Sequence, residues 1–180
     1  MNAEFVNEMK QMQSLTDEDR QLLAEMHPAV EKHAQEVVDT FYTHLDKFEV
    51  TRDILNAEPG RVERLKGHLK AWLNTLTEGV YEEDYFKRRY RIGKRHVEVG
   101  LEPRYVIAAM AFCRATASKL IIEAEYADDP QRGERLRALD KVMDLDLNIM
   151  LQSYDDQRLH QFLEVTGFSR ELFETLMAGE

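Results

Sequence analysis

Cysteine is almost absent from this chain. Cys113 stands alone among 180 residues, so no internal disulfide can form and no paired-cysteine zinc motif exists. Proline and glycine are also sparse, at four and eight residues, and most of them fall between periodic segments. Alternating apolar and polar stretches are missing, which removes the signature of a half-buried strand. No apolar run reads as long enough to span a bilayer. The start, residues 1–14, carries Glu4 and Glu8 with no hydrophobic stretch, so it is not a secretory signal. These absences describe a soluble, cytoplasmic protein with no membrane partner. Positive charge is in the minority: 24 Lys and Arg face 34 Asp and Glu, a net charge of −10. That balance disfavours nucleic acid, whose phosphates need clustered cations. The one basic run, Lys87, Arg88, Arg89, Arg91, Lys94 and Arg95, spreads around a helix and reads as mainly solvated surface.

What remains is helical almost throughout. A short amphipathic stretch, Phe5 to Met12, precedes Thr16, which reads as an N-cap with Asp17, Glu18 and Asp19 at the positive end of the next helix. His27–Pro28 reads as a break, with Pro28 in the first turn of a following helix that carries Val30, Ala34, Val37, Val38, Phe41, Tyr42 and Leu45 at three-and-four spacing. Phe48 to Leu55 is less regular. Val62, Leu65, Leu69, Trp72, Leu73 and Leu76 share one side of a helix that stops near Gly79, and a further helix spans about Glu82 to Val99 with Gly100 suited to its C′ position. Two longer helices follow, from Pro103 to about Tyr126 and from about Arg132 to the Leu163 region, with a short piece from Ser169 to Met177. Six or more helices with short links make a single all-α domain, more elaborate than an up-down four-helix bundle.

Of six histidines, His27, His33, His44 and His160 read as surface residues, while His68 and His96 lie on apolar faces: Leu65, His68 and Trp72 are spaced three then four, Ile92, His96 and Val99 four then three. An inward imidazole needs a partner for its ring nitrogens, and that partner is a hydrogen bond more often than a metal. Zinc fits poorly, since no HExxH or Cys–His cluster exists. A di-iron bundle would repeat Glu-x-x-His, and neither His68 nor His96 has a Glu three residues earlier. Haem is the candidate that needs one strong ligand and a large apolar cavity.

The segment from Tyr90 through His96, Gly100, Leu101 and Pro103 to Tyr105 resembles the proximal stretch of the globin-coupled sensor family, a helix ending His-x-x-x-Gly-[Leu/Ile]-x-Pro with a tyrosine opening the next helix. Phe41–Tyr42 looks like the family's distal tyrosine helix, Val62 to Trp72 like its distal haem-face helix, and Leu139 to Tyr154 like its last globin helix. The likeness covers roughly residues 5–165. It implies a globin-like fold with an extra N-terminal helix, a sensor globin domain over 1–165, and a tail or linker start at 166–180. It further implies haem b (iron protoporphyrin IX) with His96 as proximal iron ligand. Tyr42 becomes the distal donor, worth about 1–3 kcal/mol to a partly charged ligand, and Leu65 the apolar lid. Leu69, Trp72, Ile92, Val99, Leu101 and Tyr105 form the pocket wall.

His68 departs from the commonest pattern, a small hydroxyl residue. It can bond the ligand, bind iron as a sixth ligand, or point to solvent at the haem edge. The resemblance implies a sensor of a diatomic gas, oxygen first and CO or NO also, acting as a homodimer through the last two long helices. The chain itself is then non-catalytic, with a possible fused output domain that in a longer parent would be a diguanylate cyclase. Three rivals stay open: a haem-free helical adaptor dimer, a redox sensor with His68 on iron, and a globin enzyme.

Overall fold

The computed structural model describes residues 3–179, and all the regular structure among them is helical. Helix α1 (Ala3–Met12) leads into α2 (Asp17–Leu45). Thr16 caps α2 as expected: its hydroxyl accepts the Asp19 N–H at 3.2 Å, and the Asp19 carboxylate accepts the Thr16 N–H at 2.8 Å. This reciprocal box satisfies donors that a helix start leaves free. Lys141 donates to the same carboxylate at 2.7 Å, tying the start of α2 to the last long helix.

The break expected at His27–Pro28 does not occur, because α2 runs through it as one 29-residue helix. A proline inside a helix costs about 3 kcal/mol. Met26 and Val30 on either side are fully buried, and at about 1.5–3 kcal/mol each their burial outweighs that cost. The stretch read as irregular also forms a helix, α3 (Glu49–Asn56), with Thr51 and Leu55 buried one turn apart.

Gly60, at φ 73°, opens α4 (Arg61–Leu76). Helix α5 (Glu83–Glu98) ends in a Schellman motif: Gly100 N–H donates to Val97 O at 2.9 Å and Leu101 N–H to His96 O at 3.0 Å. Gly100 takes φ 72° there, a left-handed state that costs a residue with a Cβ about 1–2 kcal/mol. Pro103 then starts α6 (Pro103–Ala117), whose path continues through a π-helical turn at Ser118–Glu123. Periodicity gave no sign of that turn. Helices α7 (Arg132–Thr166) and α8 (Arg170–Ala178) complete the chain.

One reading of the sequence needs correcting. The helical segment Pro103–Glu123 contains an 18-residue window of mean hydropathy 1.5, long and apolar enough to cross a membrane by length and composition. Val106, Met110, Cys113, Ala117, Ile121 and Ile122 of that segment lie in the core, yet only 33% of the window is buried within the chain.

Helices α2 and α7 are the spines. Helix α5 lies along α7, α4 lies on α2, and α6 packs on both. Although α4 and α5 are consecutive, joined by the link 77–82, they scarcely touch one another. That separation positions the site.

Candidate functional site

The two ends of the α4–α5 pair are covered unequally, a closed end by the link and an open, half-covered end away from it. The closed end, next to the link, meets at one carboxylate on α7. Asp146 is fully buried and accepts from Trp72 Nε1 at 2.7 Å, Tyr85 Oη at 2.5 Å and Arg89 Nε at 2.6 Å. Arg89 also donates to Thr75 Oγ1 at 2.6 Å, and its guanidinium lies 3.9 Å from the centre of the Tyr85 ring. Burial pushes Asp146 up from the usual carboxylate range, and Arg89, Tyr85 and Trp72 pull against it. In so dry a place each donor is needed, because an unpaired buried charge is far more costly than a paired one.

Away from the link the covering thins. On α4 the C-terminal half buries Trp72, Leu73 and Leu76, while Val62, Leu65 and Leu69 on the N-terminal half are only half-buried. On α5 the order reverses: Tyr85, Phe86, Arg89 and Gly93 are buried, Ile92 and His96 half-buried, and Val99 is 44% exposed. Leu101 and Tyr105, on the loop and the start of α6, are likewise half-buried. The open end therefore carries apolar side chains that the chain itself does not finish covering.

His96 sits there, in the last turn of α5. Its Nδ1 is enclosed and has no well-formed hydrogen bond. Burial lowers its pKa below the usual histidine value, and the Ile92 carbonyl one turn back pulls the other way. The ring is thus held neutral, with that carbonyl as the acceptor at hand for its N–H. A metal-ligating imidazole needs both conditions. Tyr42, on α2, stacks edge-on against Phe41 at 5.3 Å, and its hydroxyl makes no hydrogen bond among the described residues. Burial, and secondarily Cys113, push its phenol pKa up, so it remains an O–H donor. Cys113 is itself buried, with its thiol pushed up to about 12, which rules it out as a nucleophile near neutral pH.

Trp72 is turned to Asp146 and takes its place in the closed end. His68 is exposed, with no hydrogen bond or ion pair among the described residues. His27, His33 and His44, expected at the surface, are half-buried instead: His27 Nδ1 lies 3.0 Å from Thr77 Oγ1, His33 Nε2 2.6 Å from Glu125, and His44 stacks on Phe112 at 3.6 Å. The basic run is solvated except at Arg89, which is 2% exposed. Its spacing held the signal, because Phe86, Arg89, Gly93 and His96 repeat at three, four and three residues along one stripe. Asp146 was legible in the same way, lying between Met143 and Met150 on the apolar face of α7. Among the described residues no three His, Cys, Asp or Glu side chains converge, so a metal held by protein ligands alone has no site there. A shallow hollow of about 390 Å³ lined by Asp39, Thr40, Thr43, His44, Lys47 and Phe112 contains Tyr42's helix neighbours and none of the cleft residues.

Comparison with known proteins bears on the family and the fold. The family described as Protoglobin matches residues 2–160. The chain is 29% identical over 164 residues to the heme-based aerotactic transducer HemAT of Halobacterium salinarum, an alignment that covers 83% of this chain and 33% of that protein. It thus spans about a third of that relative's length. Among solved structures, the globin domain of a Geobacter sulfurreducens globin-coupled sensor is similar at a TM-score of 0.77 and 32% identity, covering 82% of this chain and 96% of that one. The all-helical fold is therefore globin-like.

Proposed function

The chain belongs to the protoglobin family, and from that premise we propose that it is a haem-based gas sensor domain whose cofactor, haem b, enters the open end between α4 and α5. One observation carries the reading: an enclosed imidazole that has no side-chain partner, only the Ile92 carbonyl one turn back, set among apolar side chains that are left half-covered. When bound, the haem supplies an iron able to coordinate a small diatomic ligand. His96 would hold the iron, with the Ile92 carbonyl orienting its imidazole. Tyr42 would donate its O–H to a bound ligand, which favours oxygen over its rivals CO and NO. Leu65 and Leu69 would exclude water, and Ile92, Val99, Leu101 and Tyr105 would supply apolar contacts to the cofactor. His68, exposed and free of partners among the described residues, would border the ligand or compete with it for the iron.

The absorption spectrum tests this. Purified protein should show a Soret band; a colourless protein that takes up no added haem would leave a haem-free helical adaptor instead. In the reduced, gas-free state a single broad visible band is expected. Sharp split bands that disappear in His68→Ala would make His68 the sixth ligand and favour a redox sensor.

The signal would leave through a homodimer built on α6 and α7. Met110, Ala117, Ile121, Met143 and Met150 are spent in the core. Ile107, at 45% exposed, lies instead with the exposed Ala108, Ala111 and Ala115 on the outer side of the apolar α6. A second copy would cover that face. Ile107→Arg should yield monomers in sedimentation while leaving the Soret band unchanged. The similar aerotactic transducer is about two and a half times as long, and in a longer parent chain an output domain, a diguanylate cyclase first, would read the dimer.

A further inference from the structure

We propose that Asp146 is a positioning residue: with Arg89 it sets the opening between α4 and α5 and carries movement at the cleft into α7. The inference concerns the cleft that the functional reading assigns to haem, and it rests on that reading for its purpose.

Three helices meet on this one carboxylate. Trp72 reaches it from α4, Tyr85 and Arg89 reach it from α5, and Asp146 itself belongs to α7. Arg89 closes the circuit by returning to Thr75 on α4. Helices α4 and α5 otherwise scarcely touch, so this network is the direct tie between them beside the link 77–82, whose Tyr81 donates to Leu76 O and packs edge-on against Tyr85. The network lies at the closed end of the pair, where a hinge belongs, while Leu65, Leu69, Ile92 and His96 lie at the open end.

Stability alone does not call for such a device. A buried ion pair can often be replaced by apolar residues of similar volume with no loss. Charge-assisted hydrogen bonds add direction instead, because each has a narrow range of length and angle. Asp146 and Arg89 are 0% and 2% exposed, so water cannot substitute for a partner that moves away. A shift of α5 at the cleft must then drag Asp146, and α7 with it, or break a bond that nothing else satisfies.

The test pairs Arg89→Met with Asp146→Leu in the full chain, which replaces the charges by apolar bulk. The double variant leaves the Trp72 N–H and the Tyr85 O–H without their acceptor, so it should melt roughly 5–15 °C below the parent and still fold. In the haem-free protein, amide exchange at the open end, residues 61–69 and 92–98, should still rise at least about ten-fold, because the opening is no longer fixed. With haem bound, cofactor loss should be at least about ten-fold faster, and adding CO should no longer alter exchange around residue 146. A folded double variant with parental exchange at the open end overturns the proposal whether or not haem binds. If the pair fails to fold, Tyr85→Phe removes a single bond to Asp146 and decides by the same readouts. It should raise open-end exchange about three-fold, and no change would sink the idea. A parent protein without a Soret band would count against the haem reading only, since exchange in the haem-free chain still reports on the network.

Discussion

Gly93→Ala should lower the melting temperature by about 5–10 °C and disturb the His96 site, although alanine is the better helix former. A Cβ at residue 93 would overlap Ser153 Oγ and would lie 2.6 Å from the Met150 carbonyl oxygen and 2.8 Å from Met150 Cα. The serine can be cut back, but the backbone of α7 cannot. Helices α5 and α7, which lie along each other, would have to separate. Overpacking of this kind costs about 1–3 kcal/mol or more, against which alanine recovers about 1 kcal/mol of helix propensity. The two backbone approaches under 3 Å put this case at the upper end or above, at about 3–4 kcal/mol, so the net loss of about 2–3 kcal/mol corresponds to the stated shift for a chain of this size. His96 is the next residue on the same stripe of α5, so the displacement should also broaden the Soret band or weaken haem retention. Gly67→Ala is the matched control. It too lies inside a helix, but nothing stands within 4 Å of an added Cβ, so it should stabilise by up to about 1 kcal/mol. Opposite signs are expected in thermal melts followed by circular dichroism. A Gly93→Ala protein as stable as the parent would show that the crossing of α5 on α7 is looser than these distances imply.

His96→Ala should abolish haem retention while leaving the haem-free chain as stable as before, or more so. The two halves of this expectation have one cause. The enclosed Nδ1 has only a poorly formed contact with the Ile92 carbonyl, and a buried polar atom left short of a partner costs up to about 1–3 kcal/mol. Alanine removes that atom and favours the helix, at the expense of some side-chain contact. A site that is strained when empty and satisfied when filled is the mark of a functional residue, and it accounts for stability and function moving in opposite directions. Loss of the iron ligand should weaken haem binding by more than about 100-fold, the upper end of what losing a supporting group alone costs. Added imidazole should restore part of the Soret absorbance by filling the vacated space. Retention of haem with an unaltered spectrum in His96→Ala would exclude His96 as the ligand. A large drop in haem-free stability would make it a structural residue instead.

The two central residues of these predictions were unequally legible. His96 was readable because its signal is local: three-and-four spacing, a left-handed Gly100 four residues on, and Pro103 at the head of the next helix. The structure adds the enclosed nitrogen and the Schellman bond to the His96 carbonyl. Gly93 looked only like a small residue in a helix, since its importance lies in what crosses it. Arg89 was counted with five solvated neighbours, because charge in a run reads as surface until a buried counter-charge is known. That counter-charge, Asp146, is 57 residues away.

The amino-acid order by itself determined the helical class, the Thr16 cap, the ending at Gly100, and the histidine to examine first. Each depends on residues within a turn or two of one another, where periodicity, capping and proline chemistry act. Tertiary packing decided that α2 runs through Pro28, that 49–56 is a helix, that α6 carries a π turn, and that α4 and α5 part at one end while sharing Asp146 at the other. Those outcomes turn on burial and on contacts between distant segments, whose energies of several kcal/mol exceed the local preferences they override.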